Sequence, residues 1–190
     1  MKYLICGLGN IGSDYSTTRH NVGFMVIDKF IKKHSRTDGD AFFVSSRYAD
    51  KAVIKFKGRT LVLIKPSTYM NLSGKAVSYW LEKEKIPIER SLTIVDELAL
   101  PYGKLRLKGT GGDAGHNGLK SIAELIGTKD YPRVRFGIGA EFPKGHQADF
   151  VLSPFSEEEQ ADLDKHIDKA ISIIESFASI GLERTMNFFN

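Results

Sequence analysis

Sulfur, membrane anchors and ready-made nucleophiles are what this 190-residue chain has least of. Its one cysteine, Cys6, cannot form an internal disulfide, which points to a reducing cytoplasm. Cys6 sits in a short apolar stretch and is expected in the core. No apolar run approaches the ~20 residues that a membrane span requires. The N-terminus, Met1-Lys2-Tyr3-Leu4-Ile5-Cys6-Gly7, is too briefly apolar for a signal peptide. No serine occupies a nucleophile-elbow setting, so a serine hydrolase of that build is excluded. His34, His146 and His166 have neither acids nor histidines clustered at zinc-ligand spacing and read as surface groups. Metal catalysis is not implied, and no cofactor is expected. No repeat, low-complexity block or long linker interrupts the sequence.

What is present is an ordinary globular composition. With 42% hydrophobic and 26% charged residues, the chain reads as one soluble domain, 1–190, with a substantial core. The net charge of +4 is unevenly spread. Residues 141–190 hold ten acids against four Lys or Arg, a balance of −6, so the first 140 residues carry +10. That asymmetry points to an anionic partner for the larger segment, nucleic acid first. Lysines kept for solubility are the bland account.

The periodicity predicts strands and helices in alternation. Lys2 to Cys6 reads as a short buried strand before a glycine turn. A helix is expected from near Asn21 to His34, with Val22, Met25, Val26, Lys29 and Phe30 at 3–4 spacing. Ser35 to Asp40 is polar and reads as a loop. Arg47 to Phe56 and Arg59 to Lys65 form a hairpin around Lys57-Gly58. Ser73 can cap a helix with Val77, Trp80 and Leu81 inward. Leu92 to Val95 is a buried strand that delivers Asp96. Leu105 and Leu107 alternate with Arg106 and Lys108 as in an edge strand. A helix from about Leu119 to Ile126 leads to a strand at Val134 to Ile138. Ser156 with Glu157, Glu158 and Glu159 is a capping box. The helix it opens carries Ile167, Ala170, Ile171, Ile174 and Phe177 toward the core. The whole is an α/β fold: a mixed twisted β-sheet flanked by α-helices.

Gly7-Leu8-Gly9-Asn10-Ile11-Gly12 matches the dinucleotide fingerprint G-x-G-x-x-G, so a Rossmann oxidoreductase is a rival reading. The context opposes it. The fingerprint should open directly into a helix that holds a pyrophosphate, but the polar stretch Ser13 to Thr18 intervenes. The expected ribose-binding acid should end a second strand, and Asp28 falls inside the predicted helix.

The longer string is more telling. It runs from Gly7-Leu8-Gly9-Asn10-Ile11-Gly12 through Tyr15 to Thr18-Arg19-His20-Asn21-Val22-Gly23. Lys65-Pro66-Ser67-Thr68-Tyr69-Met70-Asn71-Leu72-Ser73-Gly74, Asp96-Glu97-Leu98 and Gly115-His116-Asn117-Gly118-Leu119-Lys120 follow. Arg135-Phe136-Gly137-Ile138-Gly139 and Phe150-Val151-Leu152 complete the series. In this order they resemble the bacterial peptidyl-tRNA hydrolase family, from the first strand to the last helix. Ile11 stands where the family pattern has proline, and Val95, Ala99 and Asp113 also depart from it.

The residues suit the chemistry that the resemblance implies, hydrolysis of the ester between a peptide and the ribose of tRNA after premature release from the ribosome. An imidazole with an ordinary pKa near about 6.5 can activate water at neutral pH. His20, before a helix, is the candidate base, with Asp96 to fix its tautomer and support the imidazolium. His116 is the second candidate, more suited to positioning. Asn10, Asn71 and Asn117 can donate to a carbonyl or accept from an N–H. The resemblance assigns them to substrate binding, with Asn10 also separating peptidyl from free aminoacyl ends. Asparagine beside glycines also stabilises turns. Tyr69 and Met70 can line a trough or pack in the core. Tyr15 can stack on the terminal nucleotide or anchor a turn.

Lys104, Arg106 and Lys108 share strand parity, as do Arg133 and Arg135, so each set can present cations on one face. The resemblance implies that Lys108 and Arg135 grip the tRNA 5′-phosphate; a sheet edge guarded by charge is the alternative. The expected protein is a monomer acting on peptidyl-tRNA, with no membrane and no obligate protein partner. A non-catalytic RNA-binding or splicing relative on the same fold is the reading of a different class. Retention of His20, Asp96 and the three asparagines favours the enzyme.

Overall fold

Seven strands form one mixed sheet in the order β2-β3-β4-β1-β5-β7-β6. The structure, a computed structural model, describes residues 1–35 and 43–190. Beyond Ser35, the polar stretch read as a loop therefore lies outside the described residues. The strands are β1 (Lys2–Gly7), β2 (Val44–Ser46), β3 (Ala49–Phe56), β4 (Arg59–Pro66), β5 (Ser91–Glu97), β6 (Leu105–Lys108) and β7 (Arg133–Gly137). The helices are α1 (Val22–His34), α2 (Ser73–Glu84), α3 (Asn117–Ile126), α4 (Gln147–Val151), α5 (Glu157–Ile180) and α6 (Leu182–Phe189).

Four central strands, β4, β1, β5 and β7, run parallel. They are covered on both faces, and β1 and β4 accordingly carry buried apolar runs, Tyr3 to Cys6 and Leu61 to Ile64. Every residue of β5 is buried. The hairpin of β3 and β4 turns at Lys57-Gly58, as the sequence predicts. The edge assignment of β6 also holds, since it pairs antiparallel with β7 and ends the sheet.

The two faces have separate cores. α1, α5 and α6 pack against one, where Ile5, Phe30, Ile94, Val134, Phe136, Ile171 and Phe177 are buried. α2 and α3 pack against the other, around Leu4, Cys6, Ile64, Trp80, Val95, Leu119 and Tyr131. The first glycine motif serves the first of these contacts. A Cβ on Gly7 would stand 2.2 Å from the Gly23 carbonyl oxygen, and one on Gly23 would stand 2.4 Å from the Leu8 nitrogen. Both glycines are there to let α1 press onto β1.

Several expectations are corrected. Arg47 and Tyr48 are a turn, with Tyr48 left-handed at φ 63°, and an additional short strand, β2, precedes them. Ser73 does not cap α2; it lies inside the first turn, and its hydroxyl donates to the Met70 carbonyl at 2.8 Å. Arg133 does not face solvent with Arg135. It is 1% exposed and lies over the Tyr131 ring. Its guanidinium donates to the carbonyls of Tyr131, Gly111 and Lys129. His34 and His166 are half-buried and each has a carboxylate partner, Glu175 and Asp162. The capping box of Ser156 and Glu159 forms as read.

Candidate active site

The parallel strands deliver the motif residues to one end of the sheet. Loops after the carboxyl ends of β1 and β4 carry Asn10, then Tyr69, Met70 and Asn71, and the carboxyl end of β5 itself carries Asp96 and Glu97. This is the end at which parallel α/β sheets build ligand sites. Together with His20, Ala140, His116 and Asn117, these residues line an open cleft of about 850 Å³.

His20 lies in a single 3-10 turn, Arg19–Asn21, which leads into α1. Its Nδ1 stands 2.9 Å from both oxygens of Asp96. A buried carboxylate accepts there, so Nδ1 carries the proton and Nε2 keeps its lone pair. Nε2 has no protein partner among the described residues. The neighbouring Arg19 braces this turn. It bonds Glu159 at 2.9 Å and the Pro154 carbonyl at 2.7 Å, with its guanidinium 4.2 Å from the centre of the Phe150 ring.

His116 has a different proton arrangement. Its Nδ1 accepts from the backbone N–H groups of Gly118 and Leu119, which makes it the N-cap of α3. Its Nε2 must then carry the proton that it shares with Asp96 Oδ1 at 2.8 Å. Both nitrogens of His116 are committed, whereas Nε2 of His20 is not. Asp96 thus accepts from two imidazoles. Burial would raise its pKa, but the two neighbouring histidines and their hydrogen bonds outweigh it and hold the carboxyl well below the usual range. The ligating atoms of His20, Asp96 and His116 all lie within 4.8 Å of one another, a spacing a metal ion can use. Chelation would require both shared protons to leave and the α3 cap to open. The protonation pattern suits proton transfer better.

Asn10 is narrower in function than its side chain alone implies. Its Oδ1 accepts from the Met70 N–H at 2.8 Å, so only its amide N–H donors are left for the cleft. Asn21, which the sequence places in the motif string and at the start of the helix without a role of its own, holds it in place. Its amide accepts from the Asn10 N–H at 2.8 Å and donates to the Asn10 carbonyl at 2.9 Å. The one available signal was its place in the string Arg19-His20-Asn21. Asn71 and Asn117 are exposed and line the cleft, Tyr69 is 56% exposed on its rim, and Met70 is buried in its wall.

Three residues are not brought to the cleft wall. Tyr15 is half-buried in the turn Ser13–Tyr15. Lys108 is exposed at the end of β6, paired in register with Arg133. Arg135 is half-buried and bonds Glu97 at 2.8 Å and the Gly112 carbonyl at 2.6 Å.

The cleft of this α/β fold thus holds an imidazole oriented by a buried carboxylate, beside asparagine amides. The peptidyl-tRNA hydrolase family pattern matches residues 4–190. A peptidyl-tRNA hydrolase of Phocaeicola vulgatus is 55% identical over 190 residues, covering 100% of this chain and 99% of the relative. One from Porphyromonas gingivalis is 54% identical, with 100% of each chain covered. The crystal structure of the peptidyl-tRNA hydrolase from Acinetobacter baumannii superposes with a TM-score of 0.90 at 33% identity, covering 99% of this chain and 94% of that one. The chain belongs to the peptidyl-tRNA hydrolase family. The dinucleotide reading is thereby overturned, and α1 indeed opens only at Val22, well beyond the glycine motif. No helix of the described residues is long and apolar enough to cross a membrane.

Proposed function

We propose that this chain hydrolyses the ester of peptidyl-tRNA with His20 as general base, oriented by Asp96, working as a cytoplasmic monomer of one domain. The observation that carries the assignment is the Nδ1 contact of His20 with Asp96, which leaves Nε2 as the base in the cleft. His20 Nε2 takes a proton from water as its oxygen bonds to the ester carbon. The carbonyl oxygen gains the negative charge, which amide N–H donors of the cleft asparagines stabilise. The ester C–O bond then breaks, the ribose oxygen takes the proton from His20, and a peptide carboxyl group and free tRNA result. Incubation of the purified chain with an N-acetyl-aminoacyl-tRNA in the presence of a chelator tests this. Release of the N-acetyl amino acid is expected, whereas tRNA binding without release would favour the non-catalytic RNA-binding reading.

Asn10 reads the peptide through its N–H donors, which suit the carbonyl of an acylated amino terminus and not a free ammonium. Asn10→Asp keeps an acceptor for the Met70 N–H and removes the donor. It should lower the preference for N-acetyl-aminoacyl-tRNA over aminoacyl-tRNA by about tenfold, the worth of one good hydrogen bond. Asn10→Ala should do the same and also lower stability, because the Met70 N–H loses its partner. An unchanged ratio in both variants would assign Asn10 to the turn alone.

Lys108 and Arg135 are proposed to hold the tRNA 5′-phosphate. Arg135 would exchange the Gly112 carbonyl for a phosphate oxygen, and Lys108 would add a point charge. Replacing both with alanine should flatten the dependence of log affinity on log salt by about one. Removing the 5′-phosphate should have the same effect, and combining the two changes should add little. Fully additive losses would rule out the clamp.

A further inference from the structure

A second recess of about 690 Å³ lies beside the cleft and shares Leu98, Ala99 and Ala140 with it. We propose that this recess receives the peptide of the substrate beyond its first residues, and that its acidic wall favours basic side chains there. The proposal rests on the placement of tRNA at Lys108 and Arg135.

The sheet separates the two partners. Val134 and Phe136 of β7 point into the core under α1, α5 and α6, so the alternating Arg133 and Arg135 point to the α2–α3 side. Lys108 pairs with Arg133 and shares that side. The recess is on the other side, between the loops after β5 and β7 and the start of α5. An ester held between them has RNA to one side, and a longer peptide has the saddle of Leu98, Ala99 and Ala140 as its way out.

Charge supports the same division. The wall of the recess carries Glu141, Glu158, Glu159 and Asp162. Among the described residues its one cation, Arg19, is already paired with Glu159. Glu141 and Glu158 are exposed and can meet a lysine or arginine of the peptide. The same acids repel phosphates, so RNA is kept from the recess while the cationic face draws it elsewhere. The acids of the recess and the cations of β6 and β7 thus fall on opposite sides of one substrate.

The test uses the full chain and three substrates. Two are pentapeptidyl-tRNAs that differ only in having lysines or glutamates at the three positions farthest from the ester. The third is N-acetyl-aminoacyl-tRNA, too short to reach the recess. At low ionic strength the lysine substrate should be favoured in kcat/KM by about three- to tenfold, and salt should erase the preference. The double variant Glu141→Gln/Glu158→Gln should abolish the preference, and Glu141→Lys/Glu158→Lys should invert it. The short substrate should keep its rate in both. A preference that both variants leave untouched would overturn the proposal, as would an equal fall on the short substrate. Tighter binding of deacylated tRNA to the lysine variant would place RNA at the recess and overturn it as well. Loss of the Lys108 and Arg135 clamp would show separately, in the salt dependence of tRNA binding.

Discussion

Replacing His20 with alanine should slow ester hydrolysis about 100- to 10,000-fold while fold and tRNA affinity stay close to those of the parent. The ring bonds the protein through Nδ1 and stands 5.0 Å from the His116 ring, and its removal leaves Asp96 with a second donor, the Nε2–H of His116. No buried charge is stranded, so the loss should fall on the chemical step. Single-turnover hydrolysis measured beside tRNA binding separates the two. Near-normal turnover would eliminate His20 as the base. His116→Ala makes a useful contrast, since it also removes the cap of α3 and should cost about 1 kcal/mol of stability.

Asp96→Asn should be nearly as damaging to catalysis and far more damaging to the fold. In the sequence this change reads as the milder one, because asparagine keeps the shape and loses only charge. The second histidine removes that leniency. Two imidazole N–H groups point at the carboxylate, and an amide offers one oxygen and one opposing NH₂. One histidine must turn or change tautomer, and hydrolysis should fall by about 10,000-fold, the order seen when such a carboxylate becomes an amide. Breaking a buried ionic arrangement should also remove about 3 kcal/mol of stability, seen as a melting temperature lower by about 10 °C.

The pH dependence of that loss has a definite sign. The pKa of Asp96 is depressed in the folded chain, so its ionised form stabilises the fold above the ordinary aspartate value of about 3.9. That contribution disappears as the pH falls toward the folded-state value. The melting temperatures of parent and Asp96→Asn should therefore differ most near neutrality and converge in acid. A gap that stays constant with pH would mean that the charge of Asp96 does not support the fold.

Much of this architecture is written locally. The apolar run of β1, the 3–4 spacing of α1, the Lys57-Gly58 turn and the Ser156 capping box each depend on neighbours in the chain, and each appears where the sequence places it. Asn10, His20, Met70, Asp96 and His116, from five separate motifs, likewise meet at one cleft. What escaped depends on distant partners. Strand parity puts Arg133 and Arg135 on one face but cannot say what covers that face; Tyr131 and three carbonyls enclose Arg133 and leave Arg135 half-exposed. The commitment of both His116 nitrogens follows from a carboxylate twenty residues earlier and from the start of α3. The helix α4 has five residues, too few for a period to show.

The two arginines of β7 grip the glycine segment through the carbonyls of Gly111 and Gly112. Every amino acid has a carbonyl, so this anchorage is blind to side-chain identity but sensitive to chain length. Asp113 adds to the bend before His116 by accepting the Gly115 N–H at 2.9 Å, and Ala114 holds a left-handed φ of 51° there. An inserted or deleted residue between Gly112 and His116 would displace the imidazole from Asp96. Over evolutionary time the length of the segment should stay fixed, with glycine favoured where φ is positive, as at Gly111 and Gly115.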